Sequence, residues 1–112
     1  MTRDEIATMI SGIGLPFAYD HFKEDQPHPK GPPYICFIYT DDSDLMADNV
    51  NYARVTGLMI ELYTDDPRFD LEAAVEMALT ENELPFAKDG PNYIQSERMY
   101  QTTYDTEVLL NV

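Results

Sequence analysis

Carboxylates are the residues with the most chemical scope in this chain, 21 Asp and Glu against 7 Lys and Arg. Asp41, Asp42, Ser43, Asp44 and Asp48 lie close enough in sequence to approach a calcium ion, a hard cation that takes oxygen ligands. Their spacing lacks the turn glycine and the distal bidentate glutamate of an EF-hand loop, so the stretch reads as turn chemistry and no metal is assigned. His21 and His28 have no cysteine beside them and do not form a zinc ligand set. Glu61 and Asp105 can work as acid and base only inside a cleft that separates their pKa values; otherwise they belong to a polar sheet face.

Nucleophiles are no better placed. Ser11, Ser43 and Ser96 stand in no G-x-S-x-G turn, and Cys36 lies within the apolar run YICFIY, where burial is its reading. Gly12-Ile13-Gly14 lacks the preceding strand and following lysine of a phosphate loop. No catalytic residue and no cofactor is assigned, and the chain reads as a non-enzyme. Aromatic residues point elsewhere: 8 Tyr and 5 Phe put many amphipathic rings on strands that two short helices only partly cover. Tyr93, Tyr100 and Tyr104, with Tyr52, either form a protein interface or pack under the helices.

The elements that must hold these side chains are clearest over residues 54–86. Leu58, Ile60 and Leu62 alternate with Met59, Glu61 and Tyr63, the period of a strand with one strongly apolar face. A helix follows, with Asp65, Asp66 and Asp70 as candidate N-caps and Pro67 at its start. Glu72 and Glu76 set negative charge near its positive end. Leu71, Ala74, Val75, Ala78 and Leu79 form its apolar stripe, which leaves Arg68, Glu72, Glu76 and Glu83 on the side facing water, a neighbour or a lumen. Leu84-Pro85 is its expected stop.

Residues 2–13 read as a first helix, capped by Thr2 with Glu5 in capping-box position and ended by Gly12 and Gly14. A short strand is expected over 16–22 and a near-continuous apolar strand over 34–40. Between them, 23–33 holds four prolines and reads as a mobile loop; 41–53 reads as a second loop or an irregular strand approach. Asp89-Gly90-Pro91 suggests a hairpin tip, and one long half-buried strand, bent or broken near Glu97, is expected over 94–110. Leu-Pro-Phe-Ala occurs at 15–18 and 84–87, and Tyr-Thr-Asp-Asp at 39–42 and 63–66, each of the latter closing a strand. The order predicts a single α+β domain, residues 1–112, with two helices on one face of a mostly antiparallel sheet of four to five strands.

A formal charge of -14 on 112 residues disfavours free nucleic acid and anionic membranes as ligands, since both reward Lys and Arg. The start of the chain lacks the pattern of a signal peptide, and the single cysteine fits a reducing compartment.

Taken over nearly its full length, the chain resembles the tail-completion, or tail-terminator, proteins of long-tailed bacteriophages and prophages. The resemblance lies in LPFAYDHF after a first helix, YICFIYTDD, GLMIELYTDD running into DLEAAVEMAL, then LPFAKDG and RMYQTTYDTEVLL. It implies a structural virion protein that forms a ring, commonly of six copies, on the tail tube and docks the head-closure or connector protein. DNA would pass through without specific binding, and the protein would assemble in the bacterial host's cytoplasm and end in the virion tail. Expected interface residues are Pro27, His28, Pro29 and Lys30 in the first loop, Tyr52 in the second, and Arg68, Glu72, Glu76 and Tyr93. The alternative is a small acidic non-viral module that binds a basic partner.

Overall fold

Hydrophobic alternation over 58–62 places Leu58, Ile60 and Leu62 in the centre of the core, and the remaining elements are arranged around that strand. The structure, a computed structural model, describes residues 1–21, 31–47 and 50–111; at 41–47, 50–54 and 111 it describes the backbone only. Helix α1 (Arg3–Ser11) leads into β1 (Phe17–Tyr19), and β2 (Tyr34–Ala47) and β3 (Val50–Thr64) follow. Helix α2 (Phe69–Glu81) then connects to β4 (Phe86–Ile94) and β5 (Met99–Asn111). The five strands form one sheet in the order β1-β2-β3-β5-β4, antiparallel except for the parallel β1–β2 pair. The fold is α+β, as the order of elements predicts.

Both helices cover the same face. Ile6, Met9 and Ile10 from α1 and Val75 and Leu79 from α2 join one core with Ile35, Phe37, Leu58, Ile60, Leu62, Tyr104, Val108 and Leu110. The register explains the shared face, because Phe37 lies opposite Ile60 and Ile60 opposite Tyr104. Strands β3 and β4 both run antiparallel to β5, so α2 is the crossover between two parallel strands with β5 inserted between them.

Helix α1 begins as expected: Thr2 Oγ1 accepts from the Glu5 amide at 3.1 Å and Glu5 Oε1 accepts from the Thr2 amide at 3.1 Å, a closed capping box. Helix α2 does not. Its N-cap is Arg68, without a side-chain cap, and Asp65 and Asp66 lie outside the helix, while Asp70 is engaged by the Arg68 guanidinium. Its stop also falls earlier than Leu84-Pro85. Asn82 is the C-cap, Glu83 takes the left-handed conformation at φ 58, and the amides of Glu83 and Leu84 donate to the carbonyls of Thr80 and Leu79. That is a Schellman closure with glutamate where glycine is usual.

Four strand expectations change. Strand β1 spans three residues, because Asp20 at φ 65 turns the chain out of extended geometry. The stretch 41–53, expected as a loop or an irregular strand approach, continues the β2–β3 ladder through pairs such as Asp44 with Arg54, with register shifts after Tyr39 and Leu45. Backbone pairing does not need an apolar period where a ribbon leaves the core, so Tyr39-Thr40-Asp41-Asp42 does not close its strand. Asp89-Gly90-Pro91 is a bulge inside β4 rather than a hairpin tip; the chain reverses over 95–98, where Arg98 takes φ 54. The break expected near Glu97 is this turn, and all of the long terminal strand beyond it, Met99–Asn111, is β5.

At Gly90, φ is +109 and an added Cβ would sit 2.7 Å from the Gln101 carbonyl oxygen. Gly90→Ala is expected to cost roughly 2 kcal/mol of folding stability, read as a lower urea midpoint. Gly31→Ala, whose Cβ meets open space, is the control and should stay within about 0.5 kcal/mol of the parent.

Candidate functional site

Helix α2 carries a carboxylate into the core. Glu72, Val75 and Leu79 face inward, and Glu72 is only 3% exposed. On the sheet, Lys88 of β4 and Tyr104 of β5 are register partners below that turn of helix. Lys88 Nζ lies 2.7 Å from Glu72 Oε1, a charge contact without hydrogen-bond alignment, and donates to Glu76 Oε2 at 3.0 Å. The Tyr104 hydroxyl donates to the same Glu76 oxygen at 2.9 Å. Burial, and then the bond to Glu76, push the Tyr104 pKa far up, and the Glu72 carboxylate holds Lys88 above the ordinary lysine range. Both groups keep their protons near neutral pH, and the cluster acts as an ionic staple between helix and sheet edge.

This arrangement corrects the sequence reading of Glu72 and Glu76 as residues of an outer face. Glu72 is inside and Glu76 is committed to Lys88 and Tyr104. The outer face instead carries Phe69, 75% exposed, Met77, 61% exposed, and exposed Ala73 between them. Their i, i+4, i+8 spacing was readable as a second apolar row, masked by the stronger inward stripe. Arg68 remains outward and forks onto Asp70 at 2.9 and 3.0 Å.

Among the described residues the other face of the sheet carries no helix. Tyr34 stacks on Tyr63 with ring centroids 4.9 Å apart, and the Tyr63 hydroxyl donates to Glu61 Oε2 at 2.8 Å. Gln101 Nε2 donates to that carboxylate oxygen at 2.6 Å and to the Tyr63 hydroxyl at 2.9 Å. Ile38 and Met59, opposite one another, are half-buried; Leu109 on the same face is 51% exposed. A shallow groove of about 700 Å³ runs over Gly57 between Thr40, Ala87, Asp105 and Glu107. Glu61 and Asp105 share this face on a diagonal of the ladder, since Glu61 lies opposite Thr103 and Met59 opposite Asp105. The face is mixed: Tyr34, Ile38, Met59 and Tyr63 surround Glu61 on β2–β3, and β5 carries Asp105 and Glu107 with Leu109.

Pro27, His28, Pro29 and Lys30 lie outside the described residues, as does the side chain of Tyr52, whose backbone belongs to β3. The side chains of the Asp-rich stretch at 41–47 are likewise outside them. Tyr93 is 53% exposed and meets Tyr100 edge-on at 5.1 Å. Tyr104 is fully buried under α2, which decides its two readings in favour of packing. Among the described residues no group of three or more His, Cys, Asp and Glu is placed to hold a metal ion, and no helix is long and apolar enough to cross a membrane. Compared with known proteins, the chain matches no family model and no curated sequence.

Lys88→Met should leave Glu72 buried without its cation and cost roughly 2 kcal/mol in urea unfolding, while Glu72→Met combined with Lys88→Met recovers most of that loss. Cys36 supplies a second measurement: burial, with Glu61 and Asp20 nearby, pushes its thiol up to about 11. The native protein should react with a thiol reagent at pH 8 far more slowly than the urea-unfolded chain. Because the folded pKa is the higher one, this group's contribution to stability is full below the unfolded thiol pKa, about 8.5, and is lost as pH rises towards 11.

Proposed function

We propose that this chain is a structural subunit of a bacteriophage or prophage tail, a terminator that closes into a ring on the tail tube and offers a docking surface to the head-closure protein. The observation that carries the reading is the second sheet face, where Tyr34, Ile38, Met59, Tyr63 and Leu109 present apolar surface over which the described residues place no helix. Strand addition is a poor route to assembly. Strand β1 is three residues long, and β4 is interrupted by a bulge at a proline that has no N–H to donate. Face-to-neighbour contact suits the shape better, and a heterologous contact repeated around an axis closes into a ring.

The acidic composition supports the same reading. A charge of -14 repeated around a ring gives a central channel a potential that repels DNA phosphates, and weak adhesion is what genome passage requires. In this reading DNA is cargo in transit, the partners are further copies, the tail-tube protein and the connector, and the subunit ends in the virion tail.

Sedimentation velocity over a concentration series, with negative-stain imaging of the largest species, tests the assembly. The parent protein is expected to convert from monomer to a hexameric ring, and Met59→Asp, a change on the half-buried open face, to remain monomeric while keeping its far-UV spectrum. A parent protein that stays monomeric at every concentration, or rings that persist in Met59→Asp, would overturn this assignment.

A further inference from the structure

We infer that the outer face of α2 is a docking site for a basic amphipathic helix of a different protein, separate from the second sheet face. Phe69, Ala73 and Met77 project from successive turns and make an apolar row about 12 Å long at 1.5 Å per residue. By helical spacing Glu76 borders this row on one side, and Asp70 and Glu81 border it on the other. The cations beside it, Arg68 and Lys88, are already paired with Asp70 and with Glu72 and Glu76. These pairs neutralise Asp70 and Glu76, so among the described residues the unpaired acid of the rim is Glu81, with Glu83 just beyond the helix end.

The position of Glu81 at the C-terminal end of the helix strengthens this charge. The last turn has no basic residue and ends with Glu81, so a carboxylate sits at the negative end of the dipole; Glu83 follows in left-handed geometry. A cation supplied from outside relieves that repulsion. A second copy of this chain brings the same acidic rim and opposes it, and an anionic lipid surface is repelled in the same way. The occupant that satisfies both the strip and its rim is a helix with apolar residues at i, i+3, i+4 and i+7 flanked by Lys or Arg. Two turns of contact make this a small interface, of the transient class.

The test uses the whole protein and a labelled synthetic helix of about 18 residues built from Leu and Lys, followed by fluorescence anisotropy in about 0.15 M salt. The Phe69→Ser, Met77→Ser double variant keeps the charge of -14 and should bind about tenfold more weakly, as loss of a hot-spot pair predicts. Both side chains are mostly exposed, so its thermal melt should match that of the parent. Glu81→Lys should also weaken binding, and a Leu–Glu helix of the same pattern should not bind. Undiminished binding by the double variant would reduce the interaction to bulk charge; binding of the Leu–Glu helix would remove the electrostatic argument. Loss of self-association in the double variant would make a second copy the occupant, and each of these results overturns the proposal. The sheet-face variant Met59→Asp should bind the Leu–Lys helix normally, which keeps this test apart from the ring assignment.

Discussion

The contact of Lys88 with Glu72 sets the rotation of α2 about its axis, and much of the molecule's surface follows from it. A helix with one apolar stripe has some freedom to roll on a sheet. Here Val75 and Leu79 supply the hydrophobic anchor, while Glu72, one turn earlier, is drawn onto the cation that β4 lifts toward it. Burying a carboxylate is unfavourable unless it is paired, so the helix settles where Lys88 reaches both Glu72 and Glu76. Rolling Glu72 inward leaves Phe69 and Met77 outward. The exposed apolar row is thus the geometric counterpart of the buried acid.

Periodicity revealed what depends on alternation. Leu58, Ile60 and Leu62, the inward face of β5 and the stripe Leu71 to Leu79 were all readable because each repeats with the pitch of its element and buries on one side. What stayed hidden depends on partners distant in the chain. Glu72 looks like any first-turn acid until Lys88, sixteen positions later, is brought under it by the crossover. Asp89-Gly90-Pro91 has the composition of a turn, yet β5 continues past it in register, and pairing across the sheet decides that it is a bulge. The ribbon beyond Tyr39 is held by backbone pairing with β3, and its run of Asp and Ser carries no period to read.

The repeated Leu-Pro-Phe-Ala has a plainer meaning in three dimensions. Each copy leaves a helix and enters an edge strand, β1 or β4. A proline is tolerated there because no ladder partner needs its N–H, and its carbonyl is used instead: Pro16 accepts from the Ile35 amide at 2.8 Å and Pro85 from the Thr106 hydroxyl at 2.6 Å. The two strands then differ, β1 pairing parallel and β4 antiparallel. Similar exit chemistry accounts for the repetition without requiring duplicated halves.

Strands β1 and β4 are themselves poor templates for an added strand, and the two broad faces of the layer differ in chemistry. The sheet face mixes an apolar cluster, Tyr34, Ile38, Met59 and Tyr63, with the carboxylates of Glu61, Asp105 and Glu107. At the outer face of α2 the unpaired acid, Glu81 with Glu83 beyond it, lies at the C-terminal end of the apolar row, so a copy seated there meets like charge at that end. The proposed ring contact and the proposed helix-docking site would thus lie on opposite sides of one thin layer. A subunit arranged in this way can hold its neighbours and its partner at the same time without competition between them.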